Sequence, residues 1–256
     1  MSEYLLFRLY GAMAAWGGIA VGEERPSETH PGRSAILGLL AAALGIGRDE
    51  EERQADLNRG YLVAVRVDAA GVLLRDYHTA QAPGVAEMKK RPNRTRRDQL
   101  LAPELNTVLT YRSYYTDALY TVAITAQADA PHKLGALAKA LDRPRWPLYL
   151  GRKSCPLALP LSPQVVEAAS LADAMVLLPN LEQILLVNLH RHGEMRDWWN
   201  LEEEPSLYWD SGMEEKGLEG LMSVVRRDQP LHRCRWQFAD RSEHRGRLAR
   251  AVRDGG

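Results

Sequence analysis

In the stretch Arg25–Ile46, RPSETHPGRSAILGLLAAALGI, an irregular polar loop runs directly into a short apolar helix, around which we expect the rest of the chain to be organised. Two prolines and Gly32 keep the first half irregular. The last twelve residues are good helix formers without a β-branched cluster, and Ser34 is the predicted N-cap. A helix that is apolar nearly all round, yet too short to span a bilayer, is expected to pack against a sheet.

The start of this helix is also a candidate anion site. The first N–H groups of a helix lack partners within it and carry a partial positive charge. Arg25 and Arg33 stand just before the helix, so a phosphate would suit this position. The alternative is an ordinary capped core helix with solvated arginines, which is the simpler interpretation of these residues taken alone.

The composition is typical of a globular protein and sufficient for one large or two small domains. The 256 residues include 33 Lys and Arg against 33 Asp and Glu, so the total charge gives no argument for a nucleic-acid partner. Of the basic residues, 27 are Arg, whose planar donor group suits phosphates and base edges. A high-GC genome would enrich Arg equally well.

Several classes of protein are not indicated. Cys155 and Cys234 show no CxxC spacing, which argues against a disulfide framework or a zinc site and fits the cytoplasm. Arg8 interrupts the apolar N-terminal run, so we expect no signal peptide or membrane span. His190 and His192 lack a third ligand at a recognisable spacing, so we predict no metal. We also find no nucleotide-binding glycine motif and expect no cofactor.

The first 160 residues alternate between strand and helix patterns. Strands are predicted over residues 4–10, 61–67 and 117–126, and a helix over residues 131–141. Residues 71–74 are predicted to be the hairpin partner of the second strand. The order of strand, helix, hairpin, inserted arm, strand and helix is compatible with a ferredoxin-like α+β unit.

Two glycine-containing loops are candidate ligand-binding segments. Trp16 follows the first strand and could stack on a base, although an aromatic residue there more often belongs to the core. In the second loop, residues 149–156, Gly151 would let the backbone approach a ligand closely. The polar and basic members of this loop are Tyr149, Arg152, Lys153 and Ser154.

Residues 80–109 show little hydrophobic periodicity. A long loop inside a compact domain is usually functional or disordered. Six of the nine residues from 89 to 97 are basic, and so dense a charge favours a polyanionic partner. The alternative is a merely solvated loop. The basic residues are Lys89, Lys90, Arg91, Arg94, Arg96 and Arg97.

Tyr77 and His78 precede this segment and could form an acid–base pair for RNA cleavage. The histidine could equally be structural and hydrogen-bond to the backbone. The residue types alone leave both interpretations open.

After Pro163 the composition changes, and we predict a second, smaller unit. It should contain a helix over residues 168–178 and a strand over residues 183–189. Residues 194–219 are acidic, include Trp198, Trp199 and Trp209, and are predicted to form a long excursion on this unit. The tail from Arg226 is basic, and its last dozen residues are candidates for disorder.

Short motifs are spread along the chain. They are YLxxRLxG from Tyr4, WG at Trp16, RP at Arg25, PxRSxxLGLL from Pro31, LGI at Leu44, LRDYHT from Leu74, YLGRKSCPL from Tyr149, RDxP from Arg227 and QFA from Gln237. Each motif is modest alone, but their order and spacing cover most of the chain. Together they resemble the Cas5 family of CRISPR-associated proteins, in particular its type I-E branch.

The resemblance implies a ferredoxin-like (RRM-like) N-terminal RNA-binding domain over residues 1–160. A β-hairpin thumb would be inserted at about residues 80–110, and a small β-rich C-terminal domain would cover residues 161–256. The protein would be a non-catalytic subunit of the type I-E Cascade surveillance complex, capping the 5′ handle of the CRISPR RNA in antiviral defence. The implied partners are the CRISPR RNA, the backbone subunit CasC, the large subunit CasA and nearby target DNA, without a membrane.

The residues then expected to bind RNA are Trp16, Arg25, Arg33, Ser34, Arg75, His78, Lys89, Lys90, Arg91, Arg94, Arg96, Arg97, Arg112, Tyr149, Arg152, Lys153 and Ser154. Type I-C relatives cleave repeat RNA without metal, so the alternative is an endoribonuclease that uses Tyr77 and His78. A third possibility is a free-standing RNA-binding module.

Overall fold

The computed structural model describes residues 1–90, 94–178 and 201–249. The helices are α1 (Arg33–Leu44), α2 (Glu51–Gly60), α3 (Val85–Lys90), α4 (Arg96–Leu100), α5 (Leu134–Asp142) and α6 (Leu171–Val176). The strands are β1 (Ser2–Tyr10), β2 (Met13–Ala14), β3 (Trp16–Gly17), β4 (Glu24–Arg25), β5 (Ser27–Glu28), β6 (Tyr61–Ala69), β7 (Val72–Pro83), β8 (Leu105–Thr116), β9 (Leu119–Ala126), β10 (Gln164–Ala168), β11 (Ser206–Asp210), β12 (Leu218–His232) and β13 (Gln237–Leu248).

The core is organised on an antiparallel sheet whose first four strands lie in the order β10-β1-β9-β6. Alternation along β1 sends Leu5, Phe7 and Leu9 to the face covered by α1 and α5. Tyr4 and Leu6 point to the opposite face, which α6 covers. The predicted α+β class, the strands at β1, β6 and β9, and the helix at α5 are confirmed.

Helix α1 is largely buried, as its composition predicts, but its start differs from the prediction. The N-cap is Gly32, whose backbone is extended, and Ser34 lies inside the first turn. The prediction that Ser34 is the N-cap is therefore wrong. Gly45 closes the helix in the left-handed conformation, with its N–H donating to Ala41 and Ala42 carbonyls.

The C-terminal strands extend the same sheet, because β11 pairs with β6 and is followed by β13 and β12. Trp209 in β11 is 1% exposed, so this part of the predicted excursion is a core strand. The domain boundary predicted near residue 160 lies before β10. This strand pairs with β1, so the sheet of the N-terminal part continues past the predicted boundary. Residues 245–248 belong to β13, so the disorder expected for the last dozen residues is wrong for these four, and residues 250–256 lie outside the described residues.

Some predictions lie outside the described residues. These are the strand over residues 183–189, Trp198, Trp199, Arg91 and the pair of His190 and His192. Among the helices that the structure describes, none is long and apolar enough to cross a membrane.

A long hairpin leaves the core between β6 and β9. Strands β7 and β8 pair continuously from Val72 opposite Thr116 to Pro83 opposite Leu105. Residues 71–74 therefore do not pair with β6 as predicted. At the turn, Gly71 has φ +70°, and a Cβ there would lie 2.3 Å from the Thr116 carbonyl oxygen, so only glycine fits.

The tip of this hairpin is more regular than the sequence indicates. Strand pairing continues through residues 80–83 and 105–109, and α3 and α4 lie between the strands. Thr95 caps α4: its hydroxyl accepts from the Asp98 N–H, and the Asp98 carboxylate accepts from the Thr95 N–H. The prediction that residues 80–109 are irregular is therefore wrong for the described part of this segment.

Candidate nucleic-acid interface

A groove of about 1470 Å³ lies between the start of the chain and its C-terminal strands. Its walls are one face of α1, the loop around Trp16, the loop of residues 146–152, and the hairpin formed by β12 and β13. Four predicted residues line it: Trp16, Ser34, Tyr149 and Arg152. The groove is also lined by arginines that were not among the residues expected to bind RNA: Arg48, Arg226, Arg227, Arg233 and Arg245.

The loop of residues 149–156 forms one rim of the groove. It is closed by a β-bridge between Tyr149 and Pro156. Gly151 has φ +83°, and a Cβ there would lie 1.9 Å from the Ala15 carbonyl oxygen. The glycine thus permits a close approach, as predicted, but to the loop after β1 instead of a ligand.

We expect Gly151→Ala to destabilise the protein by about 1–3 kcal/mol or more, because the left-handed conformation disfavours a Cβ and the new atom clashes with Ala15. Thermal unfolding measures the change. Gly135→Ala is the matched control: Gly135 lies in α5, where a Cβ meets nothing within 4 Å. It should be neutral or stabilising by up to about 1 kcal/mol. Equal behaviour of the two variants would contradict the close approach.

Arg152 connects the groove to the long hairpin. Its guanidinium stands 4.7 Å from the centroid of the Tyr114 ring. It also donates hydrogen bonds to the carbonyl oxygens of Arg25, at 3.0 Å, and Ser113, at 3.4 Å. The next two residues, Lys153 and Ser154, are exposed beside it. A polyanion could therefore follow a continuous path from the groove to the hairpin.

Trp16 has a structural position. Its side chain is 2% exposed and packs edge-on against Tyr120, with ring centroids 5.6 Å apart. A base cannot stack on a ring whose faces are buried, so the predicted stacking role is corrected.

Arg33 is also committed to the protein. It is 5% exposed, and its guanidinium donates to the Asp210 carboxylate and to the carbonyl oxygen of Tyr61, the latter at 2.8 Å. Its Nε donates to the Asn58 side chain at 3.3 Å. Because the guanidinium is buried and makes four hydrogen bonds within the protein, Arg33 is not positioned to bind a phosphate, which corrects its predicted role.

The anion at the start of α1 is the protein's own carboxylate. Asp228 Oδ2 accepts a hydrogen bond of 2.7 Å from the Arg33 backbone N–H. Asp228 comes from β12 and is also held by the Arg241 guanidinium, at 2.5 and 3.1 Å. The helix start therefore favours an anion as predicted, but the phosphate proposed there is replaced by a side chain 195 residues away.

Further buried charges complete this cluster. Glu243 accepts from His30 at 3.1 Å and from Arg241 at 2.6 Å, and Arg226 lies 3.3 Å away. Burial opposes the ionisation of Glu243, but these donors outweigh it and hold the pKa of Glu243 at about 2. Burial lowers the pKa of His30, whose ring stacks on Tyr208. We call Arg33, Asp210, Arg226, Asp228, Arg241 and Glu243 the buried charge cluster.

The predicted cations of the long hairpin lie at its base or its tip. At the base, Arg75 pairs with Glu24 at 2.6 Å and covers the Tyr111 ring at 4.6 Å. Arg25 donates to backbone carbonyls of its own loop, and Arg112 lies opposite Asp76 on the neighbouring strand. None of these three lines the groove.

At the tip, the described basic residues are exposed. Lys90 pairs with Glu87 at 2.6 Å, and Arg96 donates to Gln99 at 2.9 Å and to the backbone of Gln81. Within the described chain, no acidic group pairs with the side chains of three of them. These are Lys89, Arg94 and Arg97.

Tyr77 and His78 do not form a joint site. They are neighbours on β7, and side chains of successive strand residues point to opposite faces. Tyr77 packs beside Tyr111, with centroids 5.3 Å apart, whereas His78 lies 3.8 Å from Asp76. Their positions therefore do not support the alternative in which Tyr77 and His78 act together as an acid–base pair for RNA cleavage.

The chain matches the sequence model of the family described as CRISPR-associated protein (Cas5) over residues 4–241. Over 169 residues it is 37% identical to the CRISPR system Cascade subunit CasD of Escherichia coli (strain K12), covering 63% of this chain and 70% of that protein. It superimposes on a chain described as a CRISPR RNA-guided surveillance complex with TM-score 0.60 and 26% identity, covering 97% and 92% of the two chains. A structure described as a Cas protein gives TM-score 0.59, 26% identity and coverage of 97% and 96%. The chain therefore belongs to the Cas5 family of CRISPR-associated proteins.

Proposed function

We propose that this chain is a non-catalytic subunit of a type I-E Cascade surveillance complex, in which it holds the 5′ handle of the CRISPR RNA. One observation carries this proposal: in a Cas5 family member, Arg152 joins an arginine-lined groove to a hairpin with a cationic tip. Such a surface follows a single-stranded backbone by phosphate contacts.

The proposed fold assignment rests on strand order. Among β1, β6, β9 and β10, numbered one to four, the order is 4-1-3-2 with antiparallel neighbours and helices in the two crossovers. This is the arrangement of a ferredoxin-like unit, in which the hairpin of β7 and β8 is an insertion. We assign this hairpin as the thumb.

The groove and the tip of the long hairpin would bind different parts of the CRISPR RNA. The groove would hold the handle, while the exposed cations of the hairpin tip would clamp the adjoining guide segment. The protein would contact the backbone subunit CasC and the large subunit CasA, near target DNA. We place this antiviral complex in the cytoplasm.

Replacing His78 with Ala should leave the length of the CRISPR RNA and the assembly of the complex unchanged. The reason is that His78 and Tyr77 lie on opposite faces of β7 and cannot act on one phosphate together. RNA length is measured on denaturing gels of co-purified RNA. Tyr77→Phe tests the other candidate residue in the same way, and accumulation of unprocessed repeat RNA in either variant would favour the endoribonuclease.

The proposed function is tested with labelled RNA in parallel gel-shift and product-length assays, with and without EDTA. The probes are repeat-spacer RNA, a mature guide with its handle, and the same guide with a scrambled handle. Handle-dependent binding without cleavage, by the protein alone or co-expressed with its partners, is the expected result. Metal-independent cutting at the handle boundary would overturn the non-catalytic assignment, and binding that ignores the handle would overturn handle recognition.

A further inference from the structure

The tip of the hairpin formed by β12 and β13 carries two groups that the proposed function leaves unexplained. Residues 233–236 form the turn of this hairpin, and Arg233 reaches from it over α1. Its Nη2 donates to the Ser34 carbonyl oxygen, at 2.5 Å. A Cβ on Gly38 would lie 3.2 Å from Nη1, so the absent side chain makes room for the guanidinium.

Arg233 is a largely buried cation without a counter-ion. Within the described chain no carboxylate pairs with it, and its Nε is buried without a hydrogen-bond partner. Burial, reinforced by the neighbouring charge of Arg48, lowers the pKa of Arg233 to about 10. Two like charges held close together at the edge of a groove are unfavourable until an anion lies between them.

Trp236 adds an aromatic surface next to these charges. Trp236 is 60% exposed, and the Arg48 guanidinium stands 4.7 Å from the centroid of its ring. Its backbone has φ +51°, a conformation that is costly for a bulky residue; strained backbone of this kind clusters at functional sites. The turn thus holds a large aromatic residue where glycine or asparagine would be less strained.

We propose that Arg48, Arg233 and Trp236 form a nucleotide-binding subsite of the groove, in which the two guanidinium groups hold one phosphate of a single-stranded RNA and the indole stacks on the adjacent base. This inference rests on the proposed function and extends it to residues outside the set predicted from the sequence. The expected ligand is a planar base next to a phosphodiester. The two cations recognise the phosphodiester, and the indole ring recognises the base.

The test compares salt dependence and affinity for the mature guide RNA that carries its handle. The double variant Arg48→Met/Arg233→Met should lower the slope of log K against log salt by about 0.7, the value for one phosphate of a single strand. Trp236→Leu should leave the slope unchanged and weaken binding about 5- to 150-fold, as expected for loss of one base stack. A structural defect alone would not change the salt slope in the arginine variant while changing only the affinity in the tryptophan variant.

The control is Arg53→Met/Arg143→Met, which removes the same charge outside the groove and should leave slope and affinity near those of the wild type. If the double variant fails to fold, Arg48→Met alone serves, because Arg48 is exposed and should reduce the slope in the same direction. Binding by the wild type with an unchanged slope in the Arg48 variants would overturn the subsite only. No handle-dependent binding by the wild type would overturn the proposed function and the subsite with it.

Discussion

Replacing Arg241 with Met should lower the free energy of unfolding by about 3–5 kcal/mol, the usual cost of breaking a buried ion pair from one side. Arg241 donates to Asp228 at 2.5 Å, Asp210 at 2.9 Å and Glu243 at 2.6 Å, and its side chain is 11% exposed. Without it, three buried carboxylates lose a shared cation. For a chain of this size the change corresponds to a fall of about 6–20 °C in the melting temperature.

Arg247→Met is the matched control on the same strand. Arg247 pairs with Glu204 and Glu219, but its side chain is 49% exposed, so water screens the interaction. Its loss should cost at most about 1 kcal/mol. Differential scanning calorimetry measures both variants. Similar melting temperatures would show that the buried charge cluster does not hold the C-terminal strands to α1.

Reversing three exposed charges at the tip of the long hairpin should have the largest effect on RNA binding. In Lys89→Glu/Arg94→Glu/Arg97→Glu, each cation changed has no acidic partner within the described chain, so little stability should be lost. If each side chain contacts one phosphate, the slope of log K against log salt falls by about 2. Filter binding of the mature guide RNA from low to moderate salt measures this slope.

The control carries the same change in net charge elsewhere on the molecule. Arg53, Arg59 and Arg143 are exposed cations of α2 and of the end of α5. Reversing them tests whether net charge alone reduces binding, and the slope should then stay close to the wild-type value. A hairpin variant that behaves like this control would remove the tip from the RNA interface.

The local sequence pattern was sufficient to predict helices and strands whose buried residues follow the period of the backbone. The apolar runs of α1 and β1 predict a buried helix and a buried strand, and alternation along β6 predicts another strand of the core, because side-chain direction repeats with the backbone. The pairing of β7 could not be read in this way. Its partner is β8, beyond two short helices, and the turn at Gly71 directs the chain away from β6.

In the candidate RNA interface, the role of a charged residue likewise could not be predicted from its neighbours in the sequence. Arg33 and Arg152 look alike in the sequence, since both are arginines beside a glycine and a serine or lysine. Arg33 is neutralised by Asp210, a residue 177 positions away, whereas Arg152 contacts backbone carbonyls and a tyrosine ring and has no acidic partner among the described residues. Which cation remains available to a phosphate depends on such distant partners. For the same reason Arg48 and Arg233 become recognisable as a pair only when β12 folds back over α1.

Photocrosslinking shows which surface of the protein contacts the RNA, with a guide RNA that carries 4-thiouridine at single positions of the handle and of the adjoining guide. The crosslinked peptides of this chain are identified by mass spectrometry in the assembled complex. Handle positions should crosslink to residues 146–154 and 233–236, and adjoining guide positions to the tip between β7 and β8. Crosslinks confined to the opposite face of the sheet, at α6 and β10, would contradict the assignment of the groove and hairpin as the RNA interface.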